Sequence, residues 1–149
     1  YAARSGTTSE FWTGAGSNLG GTYSANTITG TETILDGASN PLLRDYAWYG
    51  GNRNNQYGGE GSKEVGQKLP NGFGLYDVHG NLREWTADWL GCSFPPTSTD
   101  PHCDSTGSYR VLRGGGWNSY SGDVRASLRD YSNAPGRANA FGFRLLLPQ

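Results

Sequence analysis

Residues 71–90 read NGFGLYDVHGNLREWTADWL, and the fold turns on this stretch. Asn71-Gly72 is a turn signal, and Gly74, Gly80 and Asn81 mark further bends. Trp85 and Trp89 lie four positions apart, which would align them on one helical face. The tight turn at Gly80 and Asn81 instead suggests a strand after it, and periodicity does not choose between the two. Two carboxylates, Asp77 and Glu84, stand seven residues apart across that turn. A tight turn can bring both to one point with main-chain carbonyls between them, an all-oxygen set that suits a hard cation such as calcium. The same residues also allow a plainer reading, in which Asp77 caps a turn and Glu84 pairs with an arginine.

Downstream, residues 91–108 form a loop marked by Pro95-Pro96, Pro101 and several Ser and Thr. Residues 109–113 (YRVLR) read as a short strand stopped by Gly114-Gly115-Gly116. Trp117 follows and is expected to pack inward, since large aromatics after a strand usually do. Residues 141–147 (FGFRLLL) read as a terminal strand ended by Pro148. Upstream, residues 1–70 are rich in Gly, Ser, Thr and Asn, with turn signals at Gly16-Ser17, Gly50-Gly51 and Asn52 to Asn55. No sustained period appears there, so we expect an ordered, irregular region with short helical or extended pieces. Phe11, Trp12, Tyr46, Trp48 and Tyr49 argue against disorder, because such a cluster left exposed would be an aggregation hazard.

One domain fits the 149 residues. The hydrophobic share is only 34%, but five Trp, nine Tyr and five Phe can hold a loop-rich fold together, because each buries a large area. The net charge of -1 and the lack of a basic stripe argue against a nucleic-acid partner. No stretch approaches the roughly 20 apolar residues of a membrane span. Tyr1 is not a natural start, so the chain is expected to be processed, trimmed or part of a longer product. Cys92 and Cys103 flank the Pro/Ser/Thr loop. A local disulfide is the preferred reading and fits an oxidising compartment, and two unrelated thiols are the alternative. Metal ligation there is weaker, because His102 is the only soft neighbour and a tetrahedral site needs a fourth ligand.

Four blocks, YAARSGTT at the start, NGFGLYDVHGNLREWTADW, RVLRGGGWN and FGFRL, resemble the formylglycine-generating enzymes and their sulfatase-modifying-factor relatives, in that family's order. The resemblance implies an irregular α+β, C-type-lectin-like fold with little regular secondary structure. It makes residues 1–149 a single domain equivalent to the C-terminal part of the family, with the upstream family segment absent. It also raises the calcium reading: the family holds calcium through a side chain matching Asp77, main-chain oxygens matching Gly80 and Leu82, and a carboxylate matching Glu84. The family enzyme oxidises a substrate cysteine with a copper-bound cysteine pair shortly after the Gly-Gly-Trp block. Here residues 118–124 read NSYSGDV and hold no cysteine. Copper(I) needs soft thiolate ligands, which Ser and Asn do not replace, so the oxidase activity is expected to be absent. His79, beside Gly80, is expected to pack or face solvent rather than act as a base, since no partner is evident.

Between residues 118 and 140 an arginine frame (Arg125, Arg129, Arg137, then Arg144) is interleaved with Asn118, Ser119, Tyr120, Gly122, Asp123, Leu128, Asp130, Tyr131, Ser132, Asn133, Gly136, Ala138, Asn139 and Ala140. Each of these is reachable from an asparagine codon by changing adenines alone. The pattern is similar to that of variable proteins of diversity-generating retroelements, which use the same fold. Ordinary drift in a polar loop is the alternative. Tyr, Ser, Gly, Asn and Asp make an adaptable contact surface, with Tyr supplying rigid area. The arginines are expected to brace the loop through carboxylates and carbonyls.

These readings converge on a non-catalytic, calcium-stabilised ligand-binding domain, bacterial and extracellular, cell-surface or periplasmic, whose ligand is a protein or cell-surface molecule. The alternatives are part of an enzyme, with chemistry supplied by another segment or chain, and a structural subunit of an extracellular complex.

Overall fold

The computed structural model describes residues 2–8, 11, 43–50, 61–92, 103 and 106–145. Trp12, the turns at 16–17 and 51–55, the prolines of the 91–108 loop, His102 and the end of the terminal strand lie outside the described residues. The elements are a 3-10 turn at Ala2–Arg4, a single helical turn α1 (Leu43–Tyr46), strands β1 (Arg83–Trp89) and β2 (Tyr109–Arg113), a 3-10 turn at Ser121–Val124, and strands β3 (Asp130–Asn133) and β4 (Phe141–Gly142). Regular structure is sparse, and the fold is irregular α+β.

The helix-or-strand ambiguity at Trp85 and Trp89 resolves to strand. Gly80 (φ 78°) and Asn81 (φ 64°) turn the chain, and the aromatic and β-branched residues of β1 then run extended. β2 stops at Gly114 (φ 86°) and Gly115 (φ 70°), as the glycine run implies. The four strands form one sheet in the order β3-β2-β1-β4. β1 and β2 are antiparallel, with Glu84 opposite Arg113 and Trp85 opposite Leu112, and the register shifts before Trp89 meets Arg110. β2 and β3 are antiparallel, pairing Val111 with Tyr131 and Leu112 with Asp130. β4 runs parallel to β1.

The strand expected over 141–147 is shorter than its apolar run suggests. Among the described residues of this run, 141–145, only Phe141 and Gly142 join the ladder, opposite Arg83 and Glu84. Phe143 and Leu145 are 72% and 78% exposed, and Arg144 leaves the ladder to engage Glu84. The ladder thus stops two positions before Arg144 and its ionic contact with Glu84.

The upstream irregular region supplies most of one core cluster among the described residues. Phe11, Leu43, Ala47 and Tyr49 pack with Val124, from the 3-10 turn far along the chain. Trp117 is buried, as expected, and its Nε1 donates to the Asn139 carbonyl at 3.3 Å. Asn81 ties these parts together. Its side chain accepts from the Lys63 amide at 2.9 Å and donates to the Lys63 carbonyl at 3.1 Å, mimicking a strand pair. Its own amide donates to Trp48 O, and its carbonyl accepts from the Trp117 amide, each at 2.7 Å. Cys92 and Cys103 form a disulfide with Cα atoms 6.1 Å apart, and no cysteine of the chain is left free.

Candidate functional site

Asp77, Gly80, Leu82 and Glu84 line one cavity of about 480 Å³, together with Val65, Tyr76, Phe143 and Arg144. The two acids therefore face a common space, although they stand seven positions apart in the sequence. Asp77 is placed by a left-handed backbone (φ 53°), and it is 9% exposed. Its Oδ2 accepts from the Gly66 amide at 2.8 Å. Its Oδ1 is buried and meets no hydrogen-bond partner among the described residues. A buried carboxylate oxygen without a donor is costly, and a water or a cation in the cavity would each satisfy it.

Glu84, the second residue of β1, is held by Arg144. Nη2 of Arg144 donates to Oε1 at 2.8 Å, and Nε reaches Oε1 and Oε2 at 3.1 and 3.2 Å. The same Nη2 also donates to the carbonyls of Tyr76 at 2.9 Å and Asp77 at 3.3 Å. Hydrogen bonding to Glu84 and the nearby negative charges hold the guanidinium pKa above its ordinary value, against the effect of burial. Both contacts of the plainer reading are thus present: Asp77 accepts from a turn amide, and Glu84 pairs with an arginine. They leave room for an ion, because Asp77 Oδ1 is uncommitted and each carboxylate oxygen has two lone pairs. Among the described residues no three His, Cys, Asp or Glu side chains converge. Any ion here would rest on two carboxylates and main-chain oxygens, the donor type that calcium accepts and soft metals do not.

His79 packs. It is 1% exposed, its ring lies edge-on to Phe11 at 5.3 Å, and its Nδ1 contacts Val124 O at 2.7 Å. An Nδ1–H donor fits that carbonyl, which leaves Nε2 bare and buried. Burial pushes the imidazole pKa down to about 4, with the Val124 carbonyl opposing. No described residue completes a catalytic relay with it.

The segment from 118 to 140 divides. Asn118, Asn133, Ala138 and Asn139 are exposed, and Tyr120 and Tyr131 are 45% and 52% exposed. Gly122, Asp123, Leu128, Asp130, Ser132 and Gly136 are half-buried. Ser119 and Ala140 correct the sequence reading, since both are buried and offer no contact surface. Ser119 closes a tight turn: its Oγ accepts from the Gly116 amide at 3.0 Å, and its carbonyl accepts from the Gly50 amide at 2.7 Å.

β3 separates the remainder further. Side chains alternate across a strand, so Asp130 and Ser132 share one face of the sheet and Tyr131 and Asn133 the other. Tyr131 packs edge-on against Tyr109 at 5.4 Å. On the opposite face Arg83 sits 2.9 Å from Asp130 and donates to Asn118 at 3.3 Å. Arg83 thus gathers the start and the middle of the segment beside Trp85 and Phe141, whose rings are 5.6 Å apart.

The bracing by arginine that the sequence suggests is largely a matter of carbonyls. Arg113 donates to Ala126, Ser127 and Leu128 O at 3.4, 3.2 and 2.7 Å. Arg125 donates to Gly122 O, and Arg129 to Cys92 O at 3.4 Å. Arg83 and Arg113 were not singled out from sequence. Strand alternation about Glu84 could have found the first, but nothing local marks the second.

Comparison with known proteins identifies the family and the fold. A family model described as a sulfatase-modifying factor enzyme 1-like domain matches residues 1–148. The serine/threonine-protein kinase pkn1 of Chlamydia pneumoniae is 45% identical over 80 residues, covering 50% of this chain and 13% of that protein. The formylglycine-generating enzyme of Thermomonospora curvata is 37% identical over 92 residues, covering 56% of this chain and 30% of that one. The solved structure of Treponema denticola variable protein 1 superimposes with a TM-score of 0.66 at 29% identity, over 96% of this chain and 42% of its own. The chain spans less than half the length of each of these relatives. With the model match running nearly end to end, this chain belongs to the sulfatase-modifying factor enzyme 1-like domain family.

Proposed function

We propose that this domain is a non-catalytic binding module that displays a polar and aromatic surface on a calcium-tied scaffold outside the cytosol. The observation that carries the reading is the arrangement around Arg83. Asn118 and Asp130 are drawn together on one face of the sheet, and residues 118–124, the segment where the resemblance would put the enzyme's thiols, hold no cysteine. Copper chemistry without thiolates has no support in these residues. The likeness to a variable protein of the same fold favours contact over turnover, and the disulfide suits an oxidising compartment.

The binding face is tested with the fluorescently labelled domain on bacterial cells and on arrays of surface glycans and proteins. Asn118→Ala, Tyr120→Ala and Asn139→Ala are expected to cut binding at least about tenfold, as contact-centre truncations do, with unchanged unfolding midpoints. Tyr131→Ala, on the opposite face, should leave binding intact. Equal binding by all four variants would refute the face, and conversion of a cysteine peptide to formylglycine by the copper-loaded domain would refute the absence of catalysis.

Calcium is tested separately. Asp77 and Glu84, with the carbonyls of Gly80 and Leu82, would hold it. Calcium at about 100 times its dissociation constant should stabilise the fold by about 2.7 kcal/mol over an EDTA-treated sample, by mass action. An identical denaturation curve in both conditions would remove calcium from the scheme.

A further inference from the structure

We propose that Arg144 is a tethered cation built into the Asp77–Glu84 cavity, holding the 76–84 loop when no ion is present and limiting how tightly an ion binds. The inference rests on the calcium reading above and goes beyond it, since it assigns a role to a residue outside the ligand set.

Arg144 occupies the two oxygens of Glu84 unequally. Oε1 accepts from Nη2 at 2.8 Å, and the single Nε–H is shared between Oε1 at 3.1 Å and Oε2 at 3.2 Å. Among the described residues Oε2 meets only that shared Nε–H, so it is the less committed of the two oxygens. Glu84 therefore offers an ion Oε2 more readily than Oε1 while Arg144 stays in place. The guanidinium also takes the carbonyls of Tyr76 and Asp77, so it ties down the same loop that positions Asp77. A fork of this kind replaces part of what an ion would do, neutralising a carboxylate and gathering loop carbonyls. With Asp77, Glu84 and Arg144 lining one cavity, the three side chains sum to one negative charge, and removing the guanidinium leaves two. An ion then meets less repulsion and reaches Oε1 of Glu84 as readily as Oε2, while the ion-free loop loses its clamp.

The expected result is a reversal of dependence. Calcium affinity, measured by titration calorimetry and by terbium luminescence excited through the nearby aromatics, should rise about tenfold in Arg144→Gln, the scale of one like charge removed from a partly exposed site. The EDTA-treated variant should unfold at a lower denaturant concentration than the EDTA-treated parent, and saturating calcium should close most of that gap. A parent that binds calcium, with a variant that binds it equally or more weakly, overturns the tethered-cation role and leaves the calcium reading standing. A parent and variant that both fail to bind calcium or terbium overturn the two together. Should the variant not fold, the parent reports directly: the Arg144 Nε–H NMR signal should shift as calcium saturates. A signal that stays fixed while calcium binds overturns the inference as well.

Discussion

Gly80→Ala is expected to lower the unfolding free energy by about 4 kcal/mol or more, near the upper end for single substitutions and a large part of a typical domain's stability. Three effects coincide. The backbone at Gly80 has φ 78°, which L side chains rarely adopt. A Cβ there would sit 2.1 Å from Trp48 O, a backbone atom that cannot rotate away. Trp48 O is also the acceptor for the Asn81 amide at 2.7 Å, and the Gly80 amide donates to Gly114 O at 2.7 Å. Relieving the overlap would therefore pull apart the junction of the upstream region, β1 and the glycine stop after β2. Gly74→Ala is the control: its φ is 76°, but among the described residues nothing beyond its chain neighbours lies within 4 Å of an added Cβ. It should cost only about 1 kcal/mol, the backbone term alone. Urea denaturation of both variants separates the two causes, and a similar midpoint for both would show that the contact with Trp48 carries little.

Acidification is expected to weaken the fold through His79. Its folded pKa is about 4, against 6.5 in an unfolded chain, because the buried ring resists charge. Above pH 6.5 the ring is neutral in both states and contributes no pH dependence. Between 6.5 and about 4 the unfolded chain binds a proton that the folded chain does not, so stability falls as pH falls. The loss should reach about 3 kcal/mol by pH 4, of which about 2 is gone by pH 5. Carboxylates titrate in the lower part of this range, so the measurement is a difference. Urea unfolding of the parent and of His79→Gln is followed from pH 7 to 4. The parent should lose the extra stability, and parallel curves would mean that the imidazole is not held neutral. The bare Nε2 in the core and the contact to Val124 are the structural reasons for the expected slope.

Much of this molecule could be read along the chain because its cues are local. The Gly80-Asn81 turn, the strand after it, the stop at Gly114-Gly115-Gly116 and the inward Trp117 each follow from backbone geometry or side-chain size at that position. The pairing of Asp77 with Glu84 in one cavity could also be foreseen, since a single turn joins them. The extent of β4 could not: FGFRLLL carries the pattern of a longer strand, but Arg144 finds Glu84, sixty residues earlier, and leaves the ladder. The contact surface was legible as composition and not as shape. A list of exposed-type residues carries no face until β3 is paired, and pairing then sends Asp130 and Tyr131 to opposite sides.

The sequence by itself determined the family, the turns, the core aromatics and the absence of thiols after Trp117, because these depend on residue identity and near neighbours. Only the tertiary structure decided that Arg144 clamps Glu84, that Arg83 joins Asn118 to Asp130, that Val124 shares a core with Phe11, and that Ser119 and Ala140 are buried. Those outcomes depend on long side chains and distant backbone segments meeting after the chain has closed. No periodicity or spacing encodes such a meeting.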